Sequence, residues 1–295
     1  MSISSNIRVG SLIGADLRVG NVAPLAAYYG DELVFSFNPA SLFTSGEQGA
    51  WYDPSDLSTM FTDTAGTTPA TVGDSVARIN DKSGRGNHAT QATVEARPIL
   101  RQTAGGLHYL HFDGVDDFLV TPTITPGTDK AQVFAGARKL TDSSYRWLCA
   151  LRSPRNTNGT FAISASLMVE EGEADNRRNW ALEARGTVRA IRATVNSFTA
   201  PASAVLTAQF DNDGSDNVGE LRVNGQPEPL APASVDSGDA INFANAVLDI
   251  GGDTVNSNYM RGDIYSLVVR FGPNLSASKI DGVEKWMSRE TGIEL

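Results

Sequence analysis

The stretch DKSGRGNHATQ, Asp81 to Gln91, carries an aspartate, a lysine, an arginine, a histidine and a Gly-x-Gly within a few positions. Three kinds of chemistry use such residues. A phosphate-binding P-loop sets its lysine directly after the second glycine, whereas Lys82 precedes both Gly84 and Gly86. A dinucleotide-binding turn needs a strand before it, a helix after it and a third glycine, and the following HATQATVEARP offers no helix. A metal site would have to be built from Asp81, Asn87 and His88, a mixture that suits no single metal well. What remains is a structural turn. Gly84 and Gly86 supply tight backbone angles, and Asp81 and Asn87 bond their own loop.

Other residues fare no better as catalysts. Cys149 is the only cysteine, so no intrachain disulfide is available, and it lies in the apolar run YRWLCALR, where a lone thiol is a small buried hydrophobe. The three histidines are His88, His108 and His111, and no G-x-S-x-G accompanies them. His108 and His111 have opposite parity on one strand and so face opposite ways. Glu170, Glu171 and Glu173 crowd together in VEEGEAD, but the glycine among them marks a turn. The expectation is that the chain is not an enzyme.

The elements that position these residues are overwhelmingly β. Strand patterns run through LHYLHF, AQVFAGAR, YRWLCAL, FAISASLMV, NWALEA, VRAIRATV, AVLTAQF, GELRVNG, AVLDIGG and DIYSLVVRF. Short strands separated by Gly, Asn and Asp turns indicate a sandwich or barrel. In AVLTAQF, Ala204, Leu206, Ala208 and Phe210 share one face, whereas IYSLVVRF is apolar on both and reads as a central strand. Asn224–Gly225 is a hairpin turn signal. Only SASKIDGVEKWMSRETG reads as a substantial helix, with Ile280, Val283, Trp286 and Met287 on one stripe, Ser276 or Ser278 to cap its start and Gly292 its end. Gly282 inside it costs about 1 kcal/mol against alanine, so packing must stabilise this helix.

The first 37 residues differ, repeating Arg-Val-Gly at Arg8–Gly10 and Arg18–Gly20 among short glycine-punctuated runs. Such hairpins cannot hold a core alone, so residues 1–37 read as a β-rich docking module, 38–50 as a linker and 51–295 as the main domain. The net charge is −10, which repels nucleic acid and anionic membranes. The arginines Arg177, Arg178, Arg185, Arg189 and Arg192 are a local exception and read as a solvated strand face. No window is long and apolar enough for a membrane span, and MSISSNIRVG lacks the features of a signal peptide. Synthesis in a cytoplasm, without a leader, is the expectation.

A family resemblance adds to this. The segments GAWYDPSDLSTMFTDTAGTTPA, GDSVARINDKSGRGNHATQATVEARPILR and GGLHYLHFDGVDDFLV closely resemble the concanavalin A-like, laminin-G-like domains of phage and prophage virion proteins. LDIGGD, MRGDIYSLVVRF and LSASKIDGVEKWMSRETGIEL resemble the family's closing strand, strand and helix. The likeness runs from about Ala50 to Leu295 and is weakest through the middle strands. It implies an all-β, two-sheet antiparallel jelly-roll sandwich with a small N-terminal β-hairpin module and a C-terminal helix. It also implies a tail-associated adsorption or fibre protein that binds host-surface glycan or protein. The alternatives are a capsid decoration protein bound to coat subunits and a glycan hydrolase on the same fold. Hydrolases of this sandwich type often carry an E-x-D-x-x-E run, and this chain has none. The partners implied are other virion proteins through residues 1–37, copies of the chain itself in the particle, and the host surface. No cofactor is expected.

Some related sandwiches hold calcium. Asp113, Asp116 and Asp117 in FDGVDDF are the metal candidates, although a self-bonded turn is the preferred reading there and in DNDGSDN, Asp211 to Asn217. For sugar binding, Tyr145, Trp147 and Trp180 are the aromatic candidates on strands, against the alternative that each is core. The domain boundary predicts that a chain lacking residues 1–45 remains soluble and melts cooperatively but no longer joins particles. Aggregation of the truncated protein would mean that part of the removed segment belongs to the core.

Overall fold

A computed structural model describes residues 6–8, 26–29, 32–142, 146–152, 158–166, 178–185, 189–213, 219–232, 239–252 and 257–295. Two antiparallel sheets face each other as a jelly-roll sandwich. One has eight strands in a row, and its centre is the long pair Lys130–Lys139 and Arg261–Phe271 with Ala202–Asp211 beside them. The strand Gln48–Tyr52 pairs with the end of Arg261–Phe271. The other sheet has ten strands and centres on Arg146–Arg152, Thr160–Ser166, Ala181–Arg185 and Val247–Ile250.

Strand alternation builds the core between the sheets. Ala204, Leu206, Ala208 and Phe210 point inward and are fully buried, where they meet Phe161, Phe243 and Phe271. The alternate residues of Ala202–Asp211 point the other way. Val205 packs under the C-terminal helix, Ala277–Thr291, and Thr207 donates to Glu284 on it at 2.8 Å. Arg261–Phe271 is buried on both faces, as a central strand must be when one side meets a sheet and the other a helix. Leu267 and Val269 face the inter-sheet core, and Val268 faces the helix. The Ser276 side chain caps the helix at the Lys279 N–H, and Gly292 ends it in the left-handed region at φ 69°. Asn224 and Gly225, both at positive φ, close the hairpin turn.

The segment 38–50 is not a linker. Residues Pro39–Phe43 form a 3-10 turn, capped by the Asn38 side chain, and bury Leu42 and Phe43 against Trp51, Trp286 and Met287. Gln48–Tyr52 is a sheet strand. Burying two large apolar side chains ties the segment to the fold more firmly than its Gly, Ser and Pro content implied. Phe37 packs on the same cluster, and a Cβ on Gly282 would lie 2.7 Å from its ring. The helix therefore uses glycine there for close approach. Nearer the N-terminus, Ala26–Tyr29 and Glu32–Ser36 pair antiparallel, as a hairpin does, but Asn6–Arg8 joins them in parallel. The arrangement of residues 6–36 is a three-stranded sheet rather than hairpins alone.

The workable truncation point therefore moves to residue 37. A chain starting at Phe37 should melt cooperatively, whereas one starting at Gly46 should be severely destabilised. Leu42→Ala alone should cost about 2–5 kcal/mol in a denaturant titration. Equal stability of the two truncations would return the segment to linker status.

Candidate functional site

The Asp81 loop holds itself and the edge of a sheet. One carboxylate oxygen of Asp81 accepts from the Trp51 N–H at 2.9 Å and the Ser83 N–H at 2.8 Å. The other accepts from the Ser83 hydroxyl at 2.8 Å and the Asn87 N–H at 3.0 Å. Gly84 and Gly86 sit at φ 82° and 75°, where a side chain is strained even though space is open. The Asn87 amide donates to the Gly49 carbonyl, and the Lys82 N–H to the Trp51 carbonyl. His88 accepts the Asp81 N–H on Nδ1, and burial, with the nearby Arg78 charge, lowers its pKa. Lys82 bridges Asp53 at 2.7 Å and Asp56 at 2.9 Å above the Trp51 ring. Every polar atom named here is engaged with the protein itself.

The acidic turn draws Asp113, Asp116 and Asp117 together, with ligand-type oxygens within 4.8 Å of one another. Asp117 accepts from the Asp113 N–H, and Asp113 from the Val115 N–H. Arg146 closes the loop from outside by donating to the Gly114 and Tyr259 carbonyls at 2.8 Å. All-oxygen donors suit a hard cation, but two of the carboxylates are already turned to the loop's own backbone. Burial first, then the charges of Asp113 and Asp116, push the Asp117 carboxyl up to about 6.

Of the aromatic candidates, Trp180 is fully buried with Lys139 above its ring, and Trp147 is 5% exposed beside Ala150 and Ala162. Neither presents a face on which a sugar could stack, because both fill space behind the sheet surface. Tyr145, Glu170, Glu171, Glu173, Arg177 and most of DNDGSDN lie outside the described residues. Cys149 is buried, and desolvation pushes its thiol pKa far up, so it is no nucleophile at neutral pH. His111 meets Asp263 at 2.7 Å as a directly opposed cross-strand pair, and no hydroxyl partner completes a triad among the described residues.

The depression that could take a ligand lies elsewhere. It is an open cleft of about 640 Å³ between residues 45–48, Pro126 and Thr128, the 270–276 turn and the start of the helix at Lys279. One buried guanidinium joins its walls. Arg270 donates to the Leu42 carbonyl at 2.9 Å, to the Gln132 side chain and the Pro273 carbonyl at 2.6 Å, and to Glu47 at 3.0 Å. Glu47 in turn accepts from the Ser45 N–H, and Gln132 donates to the Gly272 carbonyl and the Asn274 side chain. The single arginine in an apolar strand was the sequence signal for this network. Its partners come from distant segments and carry no local pattern.

No protein-family model and no curated protein sequence matches this chain. Solved structures do. A botulinum neurotoxin type C structure is 11% identical, at a TM-score of 0.52, over 85% of this chain and 53% of its own. A Trypanosoma rangeli sialidase is 15% identical, at 0.51, over 94% of this chain and 36% of its own. The binding domain of botulinum neurotoxin serotype D/C is 9% identical, at 0.50, over 81% and 52%. The shared feature is the sandwich. This chain spans about half of the neurotoxin chains and about a third of the sialidase chain it matches. Cell entry of the type C neurotoxin depends on interaction with two ganglioside molecules.

Two measurements check these assignments. Asp81→Ala leaves three buried N–H groups without their acceptor, at about 1–3 kcal/mol each, so unfolding by denaturant should show a loss of several kcal/mol. Retention of full stability would mean that the loop is not built around this carboxylate. Asp117 has a raised pKa, so the stability it contributes is present below about pH 4 and is lost as pH rises through about 6. Asp117→Asn should therefore melt higher than the wild type at pH 7, with the gap closing on acidification toward pH 4. A calcium-dependent rise in the wild-type melting temperature, absent from Asp117→Asn, would instead make the turn a cation site.

Proposed function

We propose that this chain is a non-enzymatic bacteriophage virion protein, a tail-associated adsorption or fibre component whose sandwich binds saccharide on the host surface. Two features support the reading. The long joined motifs from Trp51 to Val120 resemble virion sandwich domains, and the sandwich carries an open polar cleft with a rigid floor. A fold of this kind also belongs to the type C neurotoxin that depends on gangliosides. The cleft is the observation that carries the saccharide part. Its walls combine prolines with amide, hydroxyl and ammonium groups, the mixture that matches a sugar's apolar ring faces and hydroxyl edges.

In this reading residues 1–37 dock the protein on the particle, and many displayed copies turn weak single-site binding into adhesion by avidity. The chain is made in the bacterial host cytoplasm and leaves by lysis. No helix among the described residues is long and apolar enough to cross a membrane. Capsid decoration remains the second placement, because a docking sheet and an exposed sandwich serve both positions.

An oligomerised form of the full chain should bind host cells and a subset of glycans on an array, and should release no reducing ends from them. Sugar release would overturn the non-enzymatic part. Failure to bind cells and glycans, with tight binding to coat protein, would move the protein to the capsid. Copy number per particle, by quantitative mass spectrometry, checks the placement independently: a number close to that of the coat protein means decoration.

A further inference from the structure

We infer that the cleft between residues 45–48, Pro126 and the 272–279 segment binds a saccharide that bears a carboxylate. This rests on the saccharide reading above and adds the place and the ligand class. The argument begins with charge. Three charged residues line the cleft: Glu47, Arg270 and Lys279. Arg270 is 4% exposed and pairs with Glu47 at 3.0 Å, so these two neutralise each other in the floor. Lys279 is exposed and makes no ion pair among the described residues. The nearby Asp281 is held by Lys285, at 2.9 Å, one helical turn further on. The cleft therefore offers one uncompensated positive charge on a chain whose net charge is −10. Such a charge attracts an anionic group and steers it locally against the general field.

The neutral groups restrict the ligand further. Asn274 has its side-chain oxygen engaged by the Gln132 amide at 3.2 Å, which leaves its own NH₂ to donate outward. The Gln48 NH₂ is taken by the Gly46 carbonyl at 3.2 Å, which leaves its oxygen to accept. A donor amide, an acceptor amide and an ammonium group on one rim match the hydroxyls and the carboxylate of an acidic sugar. Phosphate or sulfate groups would call for further cations, and the lining has none. Gln132, Glu47 and Arg270 are bonded to one another and to the backbone of both walls, so the rim is fixed before a ligand arrives. A fixed rim loses little conformational freedom on binding, which suits a weak, repeated contact.

The experiment compares full-length wild type, Lys279→Gln, Lys279→Arg and Asn274→Ala on an array of uronate- and sialate-bearing glycans beside neutral ones, and on host cells. Both positions are exposed, and thermal melting checks that each variant folds. The wild type should prefer carboxylate-bearing glycans. Lys279→Gln should bind them about tenfold to a hundredfold more weakly, with Lys279→Arg close to wild type. Asn274→Ala should weaken binding without changing the preference for acid over neutral sugars. A wild-type preference for neutral glycans overturns the inference. So does unchanged glycan or cell binding by Lys279→Gln, which would leave the saccharide function standing at another place. Absence of binding to both glycans and cells overturns the function and this inference together.

Discussion

The sandwich depends on how its entry strand is finished. Gln48–Tyr52 pairs with Arg261–Phe271 along one edge and would expose the backbone of the other. An open edge invites pairing with another chain. The Asp81 carboxylate takes the Trp51 N–H, the Lys82 N–H reaches the Trp51 carbonyl, and the Asn87 amide reaches the Gly49 carbonyl. A loop thus completes the strand in place of a neighbour. That explains why so many chemistry-bearing residue types crowd into eleven positions without forming a site: they satisfy a sheet edge, and charge makes the key acceptor strong.

A second buried charge does the corresponding work on the far side of the same strand. Arg270 gathers the Leu42 carbonyl, Glu47, Gln132 and the Pro273 carbonyl around one guanidinium. A lone buried arginine would be strongly unfavourable, but here its charge is paired and its donors are used. Fixing the 3-10 turn, the 45–48 segment and the 272–276 turn to one group does two things. It incorporates residues 38–50 into the domain, and it forms the walls of the cleft. Structure and proposed binding therefore share an anchor, and the binding groups Asn274 and Lys279 stand on the outer side of it.

The two sheets have unequal outer faces. The eight-stranded sheet is covered by the C-terminal helix and the 38–43 segment, with Trp51 and Trp286 packed edge to face at 5.7 Å. This buries both faces of Arg261–Phe271 and makes that region the most rigid support in the molecule. A cleft placed at the end of such a strand inherits its rigidity. The aromatic residues that might have met a sugar are spent instead on filling the second sheet, as with Trp147 and Trp180.

Local pattern determined much of this protein. Alternation in AVLTAQF, the doubly apolar IYSLVVRF, the Asn224–Gly225 turn and the capped helix from Ser276 to Gly292 all follow from period and propensity, which act over a few residues. The turn character of Asp81–Gln91 was legible for the same reason. What the turn bonds to was not. The strand that Asp81 caps lies thirty positions away, and Arg270 reaches residues more than two hundred positions distant. Polar, glycine-bearing segments such as 38–50 look like linkers in sequence, because composition registers solvation and not two buried side chains, Leu42 and Phe43. Whether a tryptophan or an arginine faces solvent or fills a gap is decided by neighbours brought from elsewhere in the chain. That choice belongs to the tertiary structure, because burial is a property of the packed assembly and not of any window of residues.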